Sequence, residues 1–170
     1  MRICSLLPSA TELICDLGLE DALVGVSAEC RWPPTVIGKP VVTAARIDSA
    51  ALSCVEIDLA VRQALRDGSS LYTIDAELID ALRPDVIVTQ DLCAVCAVSG
   101  DELASACPVK AEVVSLDPRT LDDVADSVRT LGRALGVPER GIAIAGEMRE
   151  RIAEVAAATS GLPHVRVFFA

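Results

Sequence analysis

Two thiols spaced as Cys93-Ala94-Val95-Cys96 stand just beyond the apolar run Val86-Ile87-Val88, with Thr89, Gln90, Asp91 and Leu92 between them. A Cys-x-x-Cys pair can cycle as a disulfide or supply half of a tetrahedral metal site. Thioredoxin-like redox work needs the first thiol at a helix N-terminus, where the helix dipole lowers its pKa. Helical spacing here begins only near Ser99, which leaves the pair in the loop ahead of it. A zinc site needs two further ligands, and Cys30, Cys107 and His164 form no second paired motif. The favoured reading is a loop lining a ligand site, because ligands of open α/β sheets sit past the carboxyl ends of the strands. A redox or metal-binding protein using Cys93 and Cys96 stays open beside it.

Other chemistry finds little to work with. His164 is the only histidine and follows Gly161-Leu162-Pro163, a turn that reads as surface. No Gly-x-Gly-x-x-Gly follows the first strand, and neither a Gly-x-x-x-x-Gly-Lys loop nor a Gly-x-Ser-x-Gly elbow occurs. The chain therefore reads as non-enzymatic, with no catalytic residue, no resident metal and no required cofactor. Its net charge of -10 opposes a phosphate backbone, and aromatics at 2% offer few rings for bases to stack on, so nucleic acid is excluded as a partner.

The 170 residues suit one domain with an aliphatic core, since 52% are apolar and the only large rings are Trp32, Tyr72, Phe168 and Phe169. Seven scattered cysteines make an odd count and no disulfide framework, and Cys4 and Cys15 read as reduced packing residues. Pro8 and Ser9 interrupt the first apolar stretch too early for a secretory signal. No segment approaches the roughly 18 apolar residues of a membrane span. As it stands the chain reads as cytoplasmic, or as periplasmic or otherwise extracytoplasmic if a signal was removed.

The elements that must hold these residues alternate along the chain. Ile3 to Leu7 reads as a buried strand, Ser9-Ala10-Thr11-Glu12 as a capping box, and a helix runs to Gly18. Strands are expected at Ala22 to Val26, Val41 to Thr43, Val86 to Thr89 and Val113 to Leu116, with an extended loop at Arg31-Trp32-Pro33-Pro34. Helices are expected at Ser53 to Leu65, Asp75 to Leu82, Ser99 to Ala106, Leu121 to Leu135 and Pro138 to Thr159. This is an α/β pattern, a parallel sheet flanked by helices. Val165 to Phe169 reads as the start of a new strand, either the opening of a second unit or an edge strand of the same sheet.

The wording of several segments resembles class III solute-binding proteins of ABC importers, in the cobalamin-binding (vitamin B12-binding protein-like) branch. The resemblance is carried by Arg2-Ile3-Cys4-Ser5-Leu6-Leu7-Pro8-Ser9-Ala10-Thr11-Glu12, by Leu23-Val24-Gly25-Val26-Ser27 with Trp32-Pro33-Pro34, and by Leu78-Ile79-Asp80-Ala81-Leu82-Arg83-Pro84-Asp85-Val86-Ile87. Gln90-Asp91-Leu92-Cys93-Ala94-Val95-Cys96 and Ser115-Leu116-Asp117-Pro118 add to it. The resemblance implies two Rossmann-like lobes joined by a long helix, with ligand clamped between them. Residues 1–137 would be the amino-terminal lobe, 138–160 the linking helix and 161–170 the first strand of a truncated second lobe. It implies ligand contacts at Pro8, Ser9, Trp32, Pro33, Tyr72, Gln90, Asp91, Leu92, Cys93 and Cys96, and transporter docking at Glu102. The implied ligand is a corrinoid, with haem or a siderophore behind it, and the implied partner is an ABC importer permease. Dimerisation, or recruitment of a second lobe, through the long helix is the remaining alternative.

Overall fold

The structure is a computed structural model that describes residues 1–48, 50–67, 70–90 and 110–168. Its centre is β1 (Ile3–Ser5), three residues with every side chain buried. A strand buried on both faces must read as a continuous apolar run, and β1 is flanked on each side by a parallel partner. One is β2 (Leu23–Val26); the other is Val86–Thr89, which pairs in turn with Glu112–Ser115. A short antiparallel pair, β3 (Thr43–Ala45) and β4 (Tyr72–Ile74), lies between them in sequence, so the later strands are β5 (Val86–Thr89) and β6 (Glu112–Ser115). The main sheet has the order β2-β1-β5-β6, all parallel.

The faces of β1 and β5 sort the core into two layers. Ile3, Val86 and Val88 point to one side, onto α1 (Pro8–Asp16) and a later helix pair, and join Ile14, Leu17, Val128 and Leu131. Cys4 and Ile87 point to the other side, where Leu6, Val42 and Ile79 complete a smaller cluster with the β3-β4 pair beside it. Alternation along a strand puts successive side chains on opposite faces, and helices cover both.

Five helices are described. After α1 come α2 (Cys54–Arg66), α3 (Ala76–Leu82), α4 (Leu121–Ala134) and α5 (Pro138–Thr159). Ser53 caps α2 in a reciprocal box with Glu56, Asp75 caps α3 by accepting from Leu78 N–H at 2.9 Å, and Thr120 caps α4 in a box with Asp123. At 22 residues α5 is about 33 Å long. It folds back on α4 through Gly136, whose φ of 76° suits only glycine without strain.

Two expectations are corrected. The expected box from Ser9 to Glu12 does not cap α1: the helix starts at Pro8, Leu7 is the N-cap, and no side chain caps it. Proline's fixed φ and missing N–H make it fit the first helical position, which puts Ser9 inside the first turn. The alternative of an edge strand from Val165 in the same sheet does not form: residues 163–168 have no regular secondary structure, with Val165 and Val167 each 80% exposed. A strand needs a neighbour to take its hydrogen bonds, and no ladder among the described residues reaches this segment. The expected helix from Ser99 to Ala106 lies outside the described residues, as does Phe169. β4 was not anticipated.

Candidate functional site

Backbone hydrogen bonds hold the carboxyl ends of the parallel strands level. Ser27 N–H donates to the Ser5 carbonyl at 3.0 Å, Leu6 N–H to Val88 at 2.9 Å and Leu116 N–H to Thr89 at 2.9 Å. The segments leaving those ends therefore emerge side by side: the loop with Trp32 and Pro33 after β2, Pro8 and Ser9 after β1, and Gln90 after β5. This edge is where open α/β sheets take their ligands.

The Trp32 loop is anchored at both ends. Val36 is buried in the first core layer and closes a 3-10 turn, Pro34–Val36, with its N–H on the Pro33 carbonyl at 3.0 Å. The Trp32–Pro33 peptide is cis, Pro33 is half-buried and Trp32 is 60% exposed. The Trp32 ring therefore stands largely in solvent and is not a core filler. Pro8 and Gln90 are half-buried and Ser9 is exposed.

Tyr72 reaches its place by another route. It lies on β4, whose partner β3 continues from Val41, a residue bridged to Val26 at the end of β2. Its side chain is half-buried against the second core layer, and its carbonyl accepts from the Arg46 guanidinium at 3.0 Å. Asp91, Leu92, Cys93, Cys96 and Glu102 lie outside the described residues.

Beneath the Trp32 loop is a polar cluster that sequence reasoning missed. Thr11 Oγ1 lies 2.8 Å from Ser5 Oγ and 3.0 Å from Cys30 Sγ, and Ser27 Oγ lies 3.1 Å from the same sulfur. Ser5 Oγ donates onward to the Leu7 carbonyl at 3.1 Å. All four residues are buried. The only hint in the sequence was polar residues immediately after two apolar strands.

Among the described residues no three His, Cys, Asp or Glu side chains gather as a metal ion would require. The Cys15 thiol is pushed up to about 11, first by burial and then by Glu20 and Asp16, so it is protonated at neutral pH and packs against the first core layer. A groove of about 1000 Å³ runs between α1 and α5 from Pro8 and Ser9 to Asp16 and Arg140. Leu13, Ile144 and Met148 meet Glu12, Glu147 and Arg151 along it, a mixture with no single chemical preference. No described helix is long and apolar enough to cross a membrane.

Comparison with known proteins agrees with this fold. The vitamin B12-binding protein of Vibrio cholerae serotype O1 is 26% identical over 171 residues, covering 99% of this chain and 50% of the relative. The crystal structure of the periplasmic vitamin B12 binding protein of Vibrio cholerae superposes with a TM-score of 0.68 at 26% identity, over 94% of this chain and 51% of that one. A periplasmic haem-binding protein from Pseudomonas aeruginosa superposes with a TM-score of 0.65 at 25% identity, over 95% and 49%. The chain thus spans about half the length of the relatives it matches. The profile of the periplasmic binding protein family matches residues 3–169, and the chain belongs to that family.

Proposed function

We propose that this chain is one lobe of a solute-binding protein that takes a corrinoid, with Pro8, Ser9, Trp32, Pro33 and Gln90 on its ligand-facing edge. The observation that carries the reading is the emergence of these residues from adjacent ends of β2, β1 and β5, with an exposed indole among them. A corrin is a wide, partly apolar ring fringed with amides. Aromatic and proline surfaces can grip such a ring while a few polar side chains orient its edge. The vitamin B12-binding relative supports the choice of ligand. Haem is the second reading, favoured by the haem-binding neighbour. Haem iron takes an axial donor from its protein, such as His, Cys, Met or Tyr. The five described edge residues supply none, but Tyr72, Cys93 and Cys96, which this reading adds to the site, are donors of that kind, so the haem arm of the titration decides between the two ligands.

In this reading residues 1–137 form the lobe, 138–160 the linking helix, and 161–170 enter a second lobe that closes over the ligand. Val165, Val167 and Phe168, exposed here, would gain a partner there. Asp91, Leu92, Cys93 and Cys96 follow Gln90 in the sequence and would add to its contacts, Tyr72 would join from β4, and Glu102 would dock on a permease. These assignments rest on the resemblance of their sequence. Relatives described as periplasmic favour an extracytoplasmic site of action.

The test is titration of the reduced chain with cyanocobalamin and hydroxocobalamin, followed by calorimetry and the corrin absorption bands, with haem as control. Saturable corrinoid binding weakened about tenfold by Trp32→Ala supports the reading, since that is the scale of a buried aromatic contact. Binding of haem in preference to both cobalamins overturns the choice of ligand. Absence of all binding, in this chain and in one joined to a second lobe, overturns the function.

A further inference from the structure

We propose that the buried cluster of Ser5, Thr11, Ser27 and Cys30 is a latch that sets the position of Trp32 on the ligand-facing edge. The proposal deepens the reading of Trp32 as a ligand contact and concerns what holds that indole in place.

Cys30 and Val36 are both buried, at 6% and 1% exposure, while Trp32 between them is 60% exposed. The arm that carries the indole is thus strung between two anchors of different kind. Val36 is held by apolar contact, which is strong but not directional. Cys30 is held by polar contact from three separate elements: Thr11 on α1 at 3.0 Å, Ser27 just past β2 at 3.1 Å, and a long contact of 3.9 Å to the Ser5 carbonyl on β1. The backbone repeats the pattern, with Ser27 N–H on Ser5 O at 3.0 Å and Cys30 N–H on Ser27 O at 3.1 Å. The directional anchor is two residues from the indole.

Polar groups in an aliphatic core need a reason. An apolar quartet of similar shape would fill this space without the cost of desolvating three hydroxyls. A fully satisfied polar network fixes one arrangement where apolar side chains slide among several, and no buried side-chain polar atom among the described residues lacks a partner. The elements joined are the ones that matter for binding. Thr11 sits on α1, whose first turn presents Pro8 and Ser9, while Cys30 leads into Trp32 and Pro33. The latch keeps those two contact segments in fixed register.

The chain has a single tryptophan, so indole fluorescence reads the arm directly, without ligand. In the reduced full chain, Cys30→Val and Thr11→Val are expected to lower native-state Trp32 anisotropy and raise acrylamide quenching, while Cys30→Ser and Thr11→Ser retain wild-type values. Affinity for cyanocobalamin should fall about fivefold in the Val variants and not in the Ser variants, the scale of one hydrogen bond. Wild-type anisotropy and quenching in both Val variants, even with a lower urea midpoint, would mean the cluster is only packing and would overturn the latch. Should Cys30→Val fail to fold, the Thr11→Val and Thr11→Ser pair gives the same decision. If the Val variants loosen the indole while Trp32→Ala leaves cyanocobalamin affinity unchanged, the latch stands and the ligand role of Trp32 falls.

Discussion

Gly132 on α4 and Gly141 on α5 meet face to face: a methyl on Gly132 would lie 2.9 Å from the Gly141 Cα, and one on Gly141 would lie 2.9 Å from the Val128 carbonyl oxygen. Real Cβ atoms do not approach backbone so closely, so the two helices cross where neither has a side chain. The opposing atoms are backbone and cannot turn aside. Gly132→Ala and Gly141→Ala should each cost about 1–3 kcal/mol despite the gain in helix propensity. Gly146 on α5 has nothing within 4 Å of the added methyl, and Gly146→Ala should stabilise by about 0.5–1 kcal/mol. Urea unfolding of the three variants checks this, and three equal shifts would remove the close approach as an explanation.

The corrected start of α1 gives a second prediction. Ser53 and Thr120 are true caps, each accepting from the amide three residues on, and their replacement by Ala should cost about 1 kcal/mol apiece. Ser9 satisfies no free amide, because Pro8 has already taken the first helical position. Ser9→Ala should therefore change stability by less than about 0.5 kcal/mol. Its expected effect is on cyanocobalamin affinity. A loss of stability equal to that of Thr120→Ala would restore Ser9 as a cap.

How much could be read beforehand depended on how local the cause was. The strand Val86–Thr89 and the helix Pro138–Thr159 match the expected ends, because prolines and an apolar run mark them within a few residues. The box read at Ser9 to Glu12 fails because Pro8 suits the first helical position and takes it, a competition between neighbours that the box pattern alone does not show. Tyr72–Ile74 is three residues long and becomes a strand only by pairing with Thr43–Ala45, a partner 27 or more positions away that no local pattern announces. The Cys30 cluster was hidden for the same reason. Its members come from β1, α1 and the turn after β2, and nothing short of the sheet order brings them together. The carboxyl edge itself was legible because α/β alternation fixes which strand ends carry loops.

Acid should loosen the α4–α5 pair. Asp126 accepts from Arg149 at 2.9 Å and from Arg129 at 3.1 Å, and these bonds, Arg149 first, hold its carboxyl below the ordinary value. Asp123 is also held low, first by the Arg119 N–H and then by the Thr120 hydroxyl. A carboxyl depressed in the folded state contributes stability fully present above its ordinary value of 3.8 and lost as the pH falls through the folded value. Urea midpoints from about pH 6 down to about pH 2.5 should therefore fall less steeply in Asp126→Asn than in the parent. Both groups face solvent, so added salt should shrink the difference. Parallel curves would show that the pair contributes no pH dependence.

The thiols can be ranked by titration, and the ranking bears on the competing redox reading. With Cys15 raised to about 11 by burial and by its acidic neighbours Glu20 and Asp16, only about one thiol in a thousand is ionised at pH 8. Iodoacetamide attacks the thiolate, so the Cys15 rate should climb about tenfold per pH unit, with no plateau below about pH 10. Peptide mapping by mass spectrometry follows every cysteine in one experiment. A plateau for Cys15 near pH 8.5 would mean that its neighbours do not perturb it. The decisive comparison is Cys93: a catalytic thiol is defined by an unusually low pKa, whereas a loop cysteine lining a corrin site has no cause to ionise early. Alkylation of Cys93 that is already constant above about pH 7 would bring the redox reading forward, and a rate still rising beyond about pH 8 would count against it.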